Sequence, residues 1–253
     1  MTFKKSEGIL KSNREIVELL KREGAKFRVY TQSYSISQEQ GAYWDIKQVN
    51  GIDPIQLNKY INFFEEASGI PVGDYSVTLP PFETGDPAGD NVEYCPDLTL
   101  LNELNTRYII SSFPLSGCIN NIPNIISNNY VYEISNSENY MKFLDCDKDE
   151  FEYSINKYSP NKIEIQIKSC GGYLQISEIN YPGWKIFIDG QRATLEPESF
   201  FRTVFVPKGD HSLSMVYQPL ISIGSAILQF SLWIFNLAII VYLYRKEHEK
   251  NLV

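Results

Sequence analysis

Only two histidines occur in the 253 residues, His211 in a turn and His248 near the C-terminal end. A histidine-based catalytic triad or a two-histidine metal site therefore cannot be assembled within this chain. The acidic residues offer two clusters instead. Asp145, Asp147 and Asp149 have the first three positions of a calcium loop, but Glu150 stands where that loop needs glycine and Asn156 where it needs glutamate. Glu83, Asp86, Asp90 and Glu93 form the second cluster. Both read as solvated acidic turns, and no metal or other cofactor is expected.

Two aromatic and carboxylate pairs suit a different chemistry. An indole face can cover the apolar side of a pyranose while a carboxylate accepts its hydroxyls, and Trp44 with Asp45, or Trp184 with Asp189, supplies both parts. Core packing is the competing role for Trp184, which sits between Gly183 and a strand.

Four cysteines, Cys95, Cys118, Cys146 and Cys170, contain no CxxC motif, which weakens zinc and thioredoxin-like readings. Three pairings are open. The expected pairing joins Cys95 to Cys118 and Cys146 to Cys170, since each would close one local loop; four separate buried thiols are the alternative.

The elements that must position these residues fall into two patterns. Up to Lys148 the sequence reads as a mixed α+β domain. A helix over Ser12 to Glu23 has a Ser12/Glu15 capping box and ends at Gly24; a strand covers Lys26 to Thr31, with Phe27 and Val29 on one face; and Tyr43 to Val49 reads as extended. Asp53 and Pro54 open a helix to about Ala67, followed by loop over Gly69 to Pro96. Leu98 to Leu104 reads as helix, Arg107 to Ser111 as strand, Asn120 to Asn129 as loop, Tyr130 to Ile134 as strand and Ser137 to Leu144 as helix.

From residue 149 to 219 the period changes to two. Strands are predicted at Phe151 to Lys157, Lys162 to Ser169, Tyr173 to Ile179, Trp184 to Ile188, Arg202 to Val206 and Ser212 to Tyr217. Asp189-Gly190 is the sharpest turn signal, because a type I′ turn needs positive φ at both positions. Short strands with regular turns predict an antiparallel β-sandwich, jelly-roll-like.

Ile221 to Tyr244 contains no charged residue or histidine. As a helix it would reach ~36 Å, enough for a bilayer core of ~30 Å, and residues 220–246 are read as one transmembrane helix; a buried core helix is the alternative. Arg245, Lys246 and Lys250 follow at once, whereas the last cations before it are Arg202 and Lys208. The tail 247–253 is therefore expected in the cytoplasm of a cell-membrane protein, with the bulk of the chain extracytoplasmic. At ~100° per residue, Ser222, Ser225, Gln229 and Asn236 fall in a stripe of roughly 60°, with Ser231 opposite, so the stripe is expected to pack on other transmembrane helices. Met1 to Gly8 is polar and carries no secretory signal, which suggests the tail of a longer multi-span protein.

A hydrophobic content of 43% argues for a folded body, and a net charge of -8 with pI near 4.9 argues against nucleic acid as a partner.

The stretch Tyr181-Pro182-Gly183-Trp184-Lys185, the turn Asp189-Gly190, the segment Val206 to His211 and the exit Tyr217 to Pro219, in that order before a span, resemble the C-terminal part of the YfhO family of bacterial multi-pass membrane proteins. Phe27 to Gln32, Val49 to Phe64 and Leu100 to Ile110 are similar to that family's extracytoplasmic region, less distinctively. The resemblance implies a role in cell-envelope glycosylation of the C-type glycosyltransferase kind, in which a sugar leaves a lipid-phosphate carrier outside the membrane. The catalytic acid of such enzymes lies in an N-terminal helix bundle that has no counterpart in these 253 residues, so no catalytic residue is carried over and the segment alone is expected to be non-catalytic. The competing expectation is a non-enzymatic, membrane-anchored β-sandwich module that binds envelope glycans or a partner membrane protein.

Overall fold

The computed structural model describes residues 8, 12–22, 27–73, 76–134, 140–146 and 150–250. The fold is α+β with a long apolar C-terminal helix. Two compact units are formed. The first comprises Met1–Lys142 with Gln175–Ile179 and Phe200–Arg202; the second comprises Phe143–Leu174, Asn180–Ser199 and Thr203–Val253.

In the first unit, α1 (Arg14–Arg22), β1 (Arg28–Thr31) and α2 (Gln38–Trp44) lead through β2 (Gly51–Ile52) to α3 (Asn58–Ser68), β3 (Thr78–Leu79), α4 (Pro87–Asn91) and α5 (Leu98–Glu103). Strands β4 (Thr106–Ser111), β5 (Asn124–Ile126) and β6 (Asn129–Glu133) complete a sheet of order β1-β4-β6-β5. Only β1 and β4 run parallel. The period of two in these strands divides the core between the faces of the sheet. Val29, Tyr108, Ile110 and Val131 pack with Ile16 and Leu20 of α1, whereas Tyr30, Ile109 and Tyr132 pack with Phe64 of α3 and Leu101 of α5. Each such apolar side chain contributes about 1.5–3 kcal/mol by leaving water.

Strand β7 (Met141–Phe143) precedes β8 (Glu152–Ser159), β9 (Lys162–Ser169), β10 (Gly172–Ile179), β11 (Trp184–Ile188), β12 (Gln191–Ala193), β13 (Phe201–Val206) and β14 (Gly209–Tyr217). A three-stranded sheet has the order β13-β10-β7. The five-stranded antiparallel sheet of the second unit runs β12-β11-β14-β9-β8. Residues directly opposite in such a sheet share a face, so Ile186, Met215 and Ile163 line up as one buried row, with Leu213 and Ile165 as the next. Pro219 ends β14, and α6 (Leu220–Lys250) follows. Its stretch Gly224–Tyr242 is 19 residues of mean hydropathy 1.8, long and apolar enough to cross a membrane, and none of that stretch is buried.

Cys95 is bonded to Cys118 in the first unit, and Cys146 to Cys170 in the second.

Several local expectations are corrected. Tyr43 to Val49 is not one extended stretch, because Tyr43 and Trp44 end α2. That helix is started by a capping box in which Ser37 accepts from Gln40 N–H and Gln40 Oε1 accepts from Ser37 N–H. Helix α1 starts at Arg14, after Asn13 in the left-handed conformation (φ 58°); Glu15 accepts from Ser127, and the Ser12 hydroxyl accepts from Gln40 Nε2. Asp53 caps only a local turn, accepting from Ile55 N–H, and α3 starts at Asn58. The loop over Gly69 to Pro96 contains β3 and α4. The stretch Asn120 to Asn129 contains β5, which pairs with β6 through Ser127 and Asn128, both at positive φ. Where Ser137 to Leu144 is described, residues 141–143 are strand β7; residues 137–139 lie outside the described residues.

Candidate functional site

A cavity of about 230 Å³ opens in the first unit, lined by Leu20 and Lys21 of α1, Phe27, Val29, and the consecutive residues Trp44, Asp45, Ile46 and Lys47. Its shape follows from the end of α2. Asp45 takes the left-handed conformation (φ 56°) and donates its N–H to Gly41 O, and Ile46 N–H donates to the same carbonyl. This is the common way for a helix to stop, though usually with glycine in that place. Gly41 also admits the returning chain: a Cβ there would come within 2.8 Å of Gln48 Oε1. The chain then runs beside β1, with Val29 N–H donating to Lys47 O.

The lining combines an aromatic face with charge. The Lys21 ammonium lies 4.5 Å from the Trp44 ring centroid, and Tyr43 meets Trp44 edge to face at 4.8 Å. Lys47 is half-buried, and burial, followed by the nearby Arg28 charge, lowers its pKa. Asp45 is exposed beside it. The site can therefore offer a carboxylate acceptor, two ammonium donors and one indole. Groups of these kinds can contact hydroxylated or anionic small molecules. Lys21 and Phe27 escape sequence reasoning because they come from two other segments, and only Phe27 carries a periodic signal; Lys47 lies in the same segment as Trp44 and Asp45 but carries no signal of its own.

Trp184 and Asp189 are not brought together. They lie at and just beyond opposite ends of β11, about 16 Å apart at ~3.3 Å per residue. Trp184 packs against Tyr217 with ring centroids 5.4 Å apart. Asp189 (φ 50°) and Gly190 (φ 78°) form the tight turn between β11 and β12. The Asp189 carboxylate accepts from Ser212 N–H through Oδ1 at 2.8 Å and from His211 Nδ1 through Oδ2 at 2.6 Å. The Ser212 N–H, then the His211 bond, hold its pKa below the usual carboxylate range. These bonds tie the β11–β12 turn to the start of β14, so His211 and Asp189 read as fasteners of the sheet.

In the acidic clusters, Asp86, Asp90 and Asp145 are engaged in local hydrogen bonds. Asp90 accepts from the N–H groups of Glu83 and Thr84 and from the Thr84 hydroxyl, and Asp86 caps α4 by accepting from Ala88 N–H. Asp145 accepts from Tyr173 N–H, while residues 147–149 lie outside the described residues. Among the described residues no group of three or more His, Cys, Asp or Glu side chains could hold a metal ion. In α6, Ser225, Gln229 and Asn236 are exposed. Asn236 donates to its own helix at Leu232 O, which meets part of its hydrogen-bonding need without a neighbour; the Ser222 side chain lies outside the described residues.

No family model, curated protein or solved structure matches this chain.

Proposed function

We propose that the chain is the extracytoplasmic portion of a YfhO-like membrane protein that takes part in lipid-linked sugar transfer to the cell envelope, contributing sugar contact instead of the transfer chemistry. The observation that carries this reading is the ordered set of motifs, Tyr181 to Lys185, Asp189-Gly190, Val206 to His211 and Tyr217 to Pro219, ahead of an apolar helix. The Trp44 cavity supports the sugar-side role, since its indole, carboxylate and ammonium groups match the faces of a pyranose ring. In this reading α6 crosses the cell membrane with Arg245, Lys246 and Lys250 inside, and Gln229 faces partner helices.

A second reading, a non-enzymatic module that binds envelope glycans or a partner membrane protein, is supported by the same cavity, whose indole, carboxylate and ammonium groups can hold a glycan without any transfer step. Both are tested by titrating the full chain in lipid nanodiscs with a polyprenyl-phosphate-linked hexose and with free oligosaccharides. Saturable binding of the lipid-linked sugar that is lost in Trp44→Ala supports the first reading. Binding of free glycan alone supports the second, and no saturable binding of either removes the sugar-side role.

A further inference from the structure

The end of the five-stranded sheet next to α6 carries a cluster of rings. Trp184 of β11 lies opposite Tyr217 of β14, their centroids 5.4 Å apart, and Tyr181 lies 6.1 Å from Tyr217 with 42% of its surface exposed. The rows behind them on this face are the buried Ile186, Met215 and Ile163. On the opposite face, Lys185, Val216 and Lys162 line up as the adjacent row across the same three strands. The cluster is fixed to the helix entry by backbone contacts. Gln218 N–H donates to Gly183 O at 2.7 Å, Lys185 Nζ donates to Gln218 Oε1 at 2.9 Å, and a Cβ on Gly183 would come within 3.1 Å of Pro219 Cα, so the two chain segments touch where glycine allows it.

The distances decide what this corner meets. Gly224–Tyr242 spans about 28 Å as a helix, matching the bilayer hydrocarbon of ~30 Å. From Gly224 back to Leu220 is about 6 Å of helix, which equals the headgroup layer of ~5–7 Å on one side. Tyr217, Trp184 and Tyr181 therefore fall at the outer margin of that layer, where an amphipathic ring is favoured because its apolar body leaves water while its polar group stays hydrated.

We infer that Tyr181, Trp184 and Tyr217 form a membrane-interface contact that seats the sheet end in the phospholipid headgroup layer, with Lys185 facing the phosphates; Lys162 of the same row is already paired with the Glu164 carboxylate. This rests on α6 crossing the bilayer, and the experiment separates the two claims. The full chain is reconstituted in phosphatidylcholine vesicles whose lipids carry bromine either near the headgroup or near the chain ends. Trp184 is left as the sole tryptophan by Trp44→Phe and Trp233→Phe, and Trp233 as the sole tryptophan by Trp44→Phe and Trp184→Phe. Trp184 is expected to emit at shorter wavelength than in water and to be quenched about twofold more strongly by the shallow probe than by the deep one, with the reverse order for Trp233. Quenching of Trp233 with an unquenched Trp184 overturns the interface contact while leaving the span intact. Neither tryptophan quenched overturns the span itself. Single Trp184→Phe in the otherwise native chain gives the same reading by subtraction if a double variant fails to fold.

Discussion

His211 Nδ1–H donates to Asp189 Oδ2 across 2.6 Å, joining the turn after β11 to the second residue position before the buried Leu213 of β14. Because the folded state holds the Asp189 carboxyl below its usual pKa, it binds this proton more weakly than the unfolded chain does. The stabilisation is thus present above the unfolded carboxylate value of ~3.9 and is lost as pH falls through the lower folded value. Asp189→Asn is expected to lower the melting temperature near neutral pH, with the gap to the native chain closing as pH falls through and below the ordinary carboxylate range. Thermal melts of both chains across that range check it; a gap that persists unchanged in acid would remove the carboxylate from the account.

Arg28 holds together three parts of the first unit. Its guanidinium donates to Leu104 O, Ser177 O and Glu178 Oε1, with 17% and 14% of the Arg28 and Glu178 side chains exposed. Arg28→Met leaves a largely buried carboxylate and two carbonyls without this donor, and is expected to cost about 3–5 kcal/mol. Glu178→Gln keeps an oxygen for the Tyr140 hydroxyl and should cost less. Urea denaturation of the two variants gives the order directly.

Gly69 ends α3 in the left-handed conformation (φ 71°), and a Cβ there would lie 2.5 Å from Cys95 O. Gly69→Ala combines the left-handed cost of about 1–2 kcal/mol with a backbone clash, so a loss of at least about 2 kcal/mol is expected. A variant as stable as the native chain by thermal melting would show that the chain near Cys95 shifts freely.

The two disulfides close loops of 23 and 24 residues of sequence separation. Chain entropy gives about 3 kcal/mol for each. Cys95→Ser with Cys118→Ser, and separately Cys146→Ser with Cys170→Ser, should each lower the denaturation midpoint, measured without reductant. Equal midpoints for native and variant chains would mean that the crosslink adds no stability.

The sequence by itself determined the elements whose signal is local. The strands Lys162–Ser169 and Trp184–Ile188 follow from a period of two, Asp189-Gly190 follows from its need for positive φ, and the apolar helix follows from the lack of charge between Ile221 and Tyr244. Only the tertiary structure decided the rest, because those features depend on atoms far apart in the chain. Cysteine spacing leaves three pairings open until folding brings Cys95 to Cys118. Trp44 and Asp45 become a cavity wall only when α1 supplies Lys21 and β1 supplies Phe27 and Val29. Residues 43–49 read as a strand because helix α2 is short, polar and held by the Ser37/Gln40 box and a left-handed Asp45, so it carries no apolar period to be seen.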